Sequence, residues 1–197
     1  MTFFAQTNVP LKISVIENMT DDEFFHFCQE NSDLRIERDE HFQVYIMAPT
    51  STITGLRNSD LNGELVIWNK KYQLGYVFDS NAAFTLPDNS VLSPDVSWMA
   101  KEKWNILPEE EKNKFAHVCP DFVIELKSKT DDMDRQKTKM QKWITNGCKL
   151  AWLICPDTEE VFIYRSNLSV SKLEGFSNKI SGGDVLQSFE LDLSILK

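Results

Sequence analysis

Apolar and charged positions alternate with the two-residue period of a β-strand in two separated stretches, residues 93–99 and 120–127. In the second, Phe122, Ile124 and Leu126 point to one face, which sends Asp121, Val123, Glu125 and Lys127 to the other. An acid and a lysine therefore lie side by side. The first stretch reads Ser93-Pro94-Asp95-Val96-Ser97-Trp98-Met99 and presents Asp95 near its start. Both strands are expected to be half-buried. If they are neighbours, a divalent cation fits between Asp95 and Glu125 with Lys127 beside it.

The rest of the chain supplies a frame for these strands. Thr20-Asp21-Asp22-Glu23 has capping-box spacing ahead of Phe24, Phe25 and Phe27, predicting a short helix. Leu34 and Ile36, then Phe42, Val44 and Ile46, alternate on either side of the charged turn 38–41, predicting a hairpin. Between Gly55 and Tyr72, the residues Leu61, Leu65, Trp68 and Tyr72 recur at helical steps, and Glu64 is expected on the inward side. Short strands at residues 76–79 and 82–86 then lead through a turn to the Asp95 strand, as in a meander. Residues 101–115 are charged and read as a partly helical surface insertion starting a helix at Pro108. Residues 131–145 read as a helix with Met133, Lys137, Met140 and Ile144 on one stripe, stopped at Asn146-Gly147. Residues 150–155 form the next strand, and the strand–helix–strand order makes it parallel to the Glu125 strand. A hairpin over residues 161–173 extends the sheet, and Phe189, Leu191, Leu193 and Leu196 dock the tail.

Length and composition narrow the class. With 197 residues, 42% hydrophobic and 11% aromatic, the chain reads as one α/β domain with a single substantial core. A formal charge of -9 argues against a generally basic protein that coats nucleic acid, although local patches decide where a polyanion binds. Cys28, Cys119, Cys148 and Cys155 show no CxxC pairing, so reduced thiols in the cytoplasm are expected rather than a zinc ribbon or disulfide framework. The stretch from Met1 to Asn8 carries no basic leader, and no membrane partner is expected because no apolar run reaches spanning length.

Hard cations such as Mg²⁺, or Mn²⁺ in its place, take oxygen ligands, so Asp95 and Glu125 are candidate metal ligands and the Leu126 backbone carbonyl a third. Lys127 is the candidate catalytic lysine, placed to orient or deprotonate the attacking water and to offset transition-state charge. Glu64 completes the candidate catalytic set as an auxiliary acid, a ligand to another metal, or a base.

Pro94-Asp95 followed by Glu125-Leu126-Lys127 resembles the PD-(D/E)XK pattern of restriction-endonuclease-like nucleases. Pro49-Thr50, residues 62–70, 75–86, 93–98, 120–128 and 146–154, and the tail 189–193 resemble the Uma-two family within it, over roughly residues 33–197. That resemblance implies an αβββαβ core, about residues 54–155, with a mixed central sheet flanked by helices. An N-terminal helix and hairpin and a C-terminal hairpin would be additions to it. It further implies a Mg²⁺-dependent endonuclease acting on DNA, and often a homodimer. Many relatives replace the third-position lysine, whereas this chain keeps Lys127.

Other readings stand beside these. The fold can serve nucleic-acid or protein binding without cleavage, or hydrolysis of RNA or another phosphodiester. Lys127, Lys129, Arg135, Lys137, Lys139, Lys142 and Lys149 outweigh three acids by four charges, so Lys129, Arg135, Lys137 and Gln141 are either nucleic-acid contacts or a solvated helix face. Asp121 reads as a strand-start or surface residue rather than a ligand. His26, His41 and His117 lack metal-ligand spacing.

Overall fold

A computed structural model describes the backbone of Leu11–Ile13 and residues 19–197. The expectation of no basic leader falls on residues 1–8, which lie outside these. After strand β1 (Leu11–Ile13), the Thr20 hydroxyl accepts the Glu23 N–H at 3.3 Å, and the Glu23 carboxylate accepts the Thr20 N–H at 2.8 Å. This reciprocal cap starts α1 (Asp21–Glu30), as the spacing predicts. The expected hairpin follows as β2 (Arg35–Arg38) and β3 (Val44–Met47), paired antiparallel. Ile36 and Val44 pack on Phe24 of α1, and Arg38 is buried with its guanidinium over the Phe24 and Phe42 rings. Because side chains alternate along β2, the same burial sends Arg35 and Glu37 to the opposite face.

Ser51 caps α2 (Thr52–Tyr72), which buries Thr54, Leu61, Leu65 and Trp68. Next come β4 (Gly75–Phe78), β5 (Phe84–Thr85), β6 (Val91–Leu92) and β7 (Val96–Ala100). These do not form one meander. β4 pairs directly with β7, whereas β5 and β6 form a hairpin that joins the N-terminal sheet through Arg38 opposite Val91. The smaller sheet thus has the order β1-β3-β2-β6-β5. The charged excursion contains α3 (Lys101–Asn105) and α4 (Glu109–Lys112), the latter beginning after Pro108 as expected.

The central elements are β8 (Phe122–Leu126), α5 (Met133–Thr145) and β9 (Leu150–Cys155). Asn146 ends α5, and Gly147 takes a φ of 106°, a left-handed conformation that explains the glycine after the helix. β9 runs parallel to β8, and β10 (Glu160–Arg165) with β11 (Val170–Glu174) extends the sheet as a hairpin. The six-stranded order is β11-β10-β9-β8-β7-β4, a mixed sheet built around an αβββαβ core.

The key strands are more buried than expected. Every residue of β8 is buried, because helices or tail residues cover both faces. Phe122, Ile124 and Leu126 pack with Leu61, Leu65 and Trp68 of α2. Val123 instead packs with Met140, Trp143 and Ile144 of α5. The tail returns through β12 (Lys179–Ser181) and β13 (Glu190–Asp192), and Phe189, Leu191, Leu193 and Leu196 close the α2 side as predicted. The cysteines are free, and among the described residues no helix is long and apolar enough to cross a membrane.

Candidate functional site

β7 and β8 pair antiparallel with Val96 opposite Ile124, and continuing that register by one residue brings Asp95 opposite Glu125. The predicted neighbourhood of these acids is therefore real. The Asp95 Oδ2 accepts the Leu126 N–H at 2.8 Å, and Oδ1 lies 3.3 Å from the Asn58 amide nitrogen and 3.5 Å from the Arg35 guanidinium.

Glu125 points toward α5, where its Oε1 accepts the Trp143 indole N–H at 2.8 Å and lies 3.0 Å from the Lys139 ammonium. That ammonium also lies 3.0 Å from Glu37 and 3.3 Å from the Ser93 carbonyl. Glu37 in turn accepts the Ser93 N–H at 3.0 Å, while Arg35 donates to the Ser93 carbonyl at 3.0 Å. The Ser93 backbone, just before Pro94-Asp95, is thus pinned from β2 and from α5.

Burial sets the electrostatics. Glu125 is 4% exposed, and burial, opposed by Lys139 and reinforced by Asp95 and Glu37, pushes its carboxyl up to about 7. Burial also opposes ionisation of Glu37. Lys139, Arg35 and the Ser93 N–H outweigh it there and hold the carboxyl below its usual range. Lys139 is therefore shared by two acids of unequal character, with Glu37 the firmer anion.

These groups floor a cavity of about 580 Å³. It is bounded by Arg35 and Glu37 of β2, by Ile46 and Met47 of β3 with the segment that follows, and by residues 128–132 leading into Arg135, Gln136 and Lys139 of α5. Its lining carries five carboxylates and four cations.

Of the expected site residues, Asp95, Glu125, Leu126, Lys129 and Arg135 line this cavity. Lys127, Glu64, Lys137 and Gln141 do not. The Lys127 ammonium donates to the Ser128 carbonyl at 2.9 Å, and the Lys137 ammonium stands 5.3 Å from the centre of the Phe162 ring. Gln141 is exposed on α5, and Glu64 is half-buried on α2. The α2 side chain that reaches Asp95 is Asn58. Asp121 is buried at the foot of β8, where it accepts the Ala100 N–H at 2.9 Å and pairs with Lys103 and Lys149. This is a structural role, interior rather than at the surface.

The basic cluster is dispersed by these pairings. Lys139 turns inward, Lys142 pairs with Glu40, and Lys149 pairs with Asp121. Arg135 stacks over the Tyr45 ring at 5.4 Å.

Sequence reasoning overlooked Arg35, Glu37, Asn58, Gln136 and the inward position of Lys139. Signals were present for two of them. Lys139 stands four residues before Trp143, on the same side of the helix, and Asn58 stands three before Leu61. For Arg35 and Glu37 the only hint is that a short strand carries charges on both of its faces.

The family model "Uma2: Putative restriction endonuclease" matches residues 21–194. The fold is similar to a crystal structure of "a putative nuclease belonging to DUF820" from Anabaena variabilis, with a TM-score of 0.69 and 20% identity over 91% of this chain and 97% of that one. No curated protein matches the chain.

Proposed function

This chain belongs to the Uma2 family, and we propose that it is a divalent-cation-dependent endonuclease that hydrolyses DNA phosphodiester bonds on the cavity floor. The observation that supports this most is the convergence of Asp95, Glu125 and Lys139, from three different elements, on one water-accessible cavity.

The donor set fits Mg²⁺ or Mn²⁺. Among the described residues no three His, Cys, Asp or Glu side chains cage a metal. Mg²⁺ needs less, because in phosphoryl-transfer sites one or two carboxylates hold it while waters and phosphate oxygens fill the remaining positions. Asp95 and Glu125 would be those carboxylates, with the Leu126 carbonyl as a further oxygen. The excess of acids over cations in the lining also favours a cation where a phosphate must enter. When bound, the cation polarises the phosphoryl oxygens and lowers the pKa of water.

The chain's own groups supply orientation. Lys139 places a positive charge on the cavity floor, its N–H groups directed at Glu37, Glu125 and the Ser93 carbonyl, so we assign it the part that the motif gives to Lys127. Glu37 and Trp143 position Lys139 and Glu125. As the oxygen of water bonds to phosphorus and gives up a proton to solvent, the bond to the departing sugar oxygen breaks and that oxygen takes a proton from solvent. Lys139 stabilises the charge that gathers on the non-bridging oxygens. Glu64 has no part in this arrangement.

Incubating the protein with fluorescently labelled DNA and Mg²⁺ or Mn²⁺ tests the reading. Cation-dependent cleavage that is lost in Asp95→Asn and Lys139→Met is expected. The reading fails if no cation supports cleavage of single- or double-stranded DNA, or if both variants cut as fast as the parent.

A further inference from the structure

We propose that the strand entering this cavity is unpaired, so that the substrate class is single-stranded DNA rather than intact duplex. This rests on the nuclease reading of the site, and three independent features of the cavity carry it.

The first is depth. Glu125 is almost fully buried, so a phosphate must descend to the floor to meet it. A cavity of about 580 Å³ is of the size that encloses one small organic ligand, which suits a nucleotide or two. A duplex brings a second backbone with it across a groove about 12 Å wide, more than a cavity of this volume encloses.

The second is charge. Proteins that grip duplex DNA neutralise its phosphates with lysine and arginine, about 6–10 of them in a strongly salt-dependent complex. Around this cavity, Arg35 is engaged with Asp95, and Lys139 and Lys142 with buried or hairpin acids, so the cations left at the rim are Lys129 and Arg135. Two or three contacts suit a short flexible strand.

The third is the wall. Ile46, Met47 and Pro49 give an apolar surface in the same cavity as Gln136, whose Oε1 is buried without a hydrogen-bond partner. The Arg35 Nε is likewise buried and unpartnered. Such atoms favour a ligand that satisfies them. In a duplex the Watson–Crick edges are taken and the faces are stacked. An unpaired base exposes both, so it can lie against the apolar wall and donate an N–H to Gln136.

The test compares short fluorescein-labelled oligodeoxynucleotides of one sequence as a single strand, a blunt duplex and a duplex with a single-stranded tail. Cleavage is read with Mg²⁺ or Mn²⁺, and affinity by fluorescence anisotropy with Ca²⁺ in their place. The single strand and the tail should be cut and bound at least about tenfold better than the duplex, as stacking of even one base allows. Gln136→Leu should weaken single-strand binding by about fivefold, the equivalent of one lost neutral hydrogen bond. A duplex cut and bound as well as the single strand overturns this proposal and leaves the nuclease reading intact. Tight selective binding of the single strand without any cleavage would sink the nuclease reading and keep this one. Selective binding of an RNA strand over DNA, or no binding at all, overturns the proposal.

Discussion

The Asp95 carboxylate accepts the Leu126 N–H at 2.8 Å, a bond that crosses from the start of β7 to the end of β8. It locks one carboxylate oxygen in place and leaves the other toward Arg35 and Asn58. An asparagine at 95 can keep the accepting oxygen but not the charge. Asp95→Asn should therefore leave the melting temperature nearly unchanged while Mg²⁺-supported cleavage falls at least about a hundredfold, the effect of losing a few kcal/mol of transition-state stabilisation. Calorimetry alongside the cleavage assay separates the two effects.

Lys139 and Lys127 should behave oppositely. Lys139→Met is expected to abolish cleavage and to destabilise the fold by about 3–5 kcal/mol, because it strands buried Glu37 beside Glu125. Adding Glu37→Gln should restore part of that stability and none of the activity. Lys127→Met should cut within about threefold of the parent, a difference of less than 1 kcal/mol. A dead Lys127 variant with a native melting temperature would return the catalytic part to the motif lysine.

Gly75 opens β4 where the Trp98 ring and the Met99 carbonyl cross it. A Cβ there would stand 2.1 Å from the Met99 oxygen and 2.6 Å from the indole. The backbone has to shift to admit a methyl group. Gly75→Ala should lower the unfolding free energy by about 1–3 kcal/mol in urea titrations. A neutral result would mean that the edge strand yields without strain.

His117 bridges two elements, with one ring nitrogen 2.8 Å from Asp21 of α1 and the other 2.8 Å from Glu111 of α4. The Asp21 hydrogen bond, opposed by burial and aided by Glu111, raises the His117 pKa above its ordinary 6.5. A raised folded-state value means that the contribution is complete below pH 6.5 and is lost as pH climbs through the folded value. Asp21, where burial is outweighed by Arg38 and His117, and Glu111, held by the His117 N–H, are lowered. Their contributions persist above the ordinary carboxylate range and vanish in acid. His117→Gln should therefore show its largest stability deficit near pH 6, shrinking by pH 8.5 (values on the order of one unit either way). A deficit that does not vary with pH would exclude the ion pairs as its source. Lys114, Asp22, Glu110 and Arg38 also face this junction.

Local signals were most legible where a short-range rule decides the outcome. The Thr20 cap, the α5 stop at Gly147 and the parallel pairing of β8 with β9 all follow from spacing within one or two elements. The β5–β6 hairpin was misplaced because a strand's period says which face is buried and nothing about which sheet receives it. Glu64 misled for a related reason. It stands one residue before Leu65, about 100° around the helix from it, so the stripe through Thr54, Leu61, Leu65 and Trp68 takes Asn58 inward instead.

From its sequence alone, this chain determines an alternating strand that carries Glu125, a second that follows Asp95, and the crossover that sets β9 parallel to the first. Those are backbone consequences of side-chain period and chain connectivity. Tertiary structure alone decided which ammonium meets the acids. β8 stops at Leu126, so alternation no longer aims Lys127, while the packing of Met140 and Trp143 turns Lys139 of α5 onto Glu125. Glu37, some hundred residues earlier, completes the group only because the N-terminal hairpin folds against that helix. A charged side chain is drawn to its partner by distance and burial, and neither quantity is written along the chain.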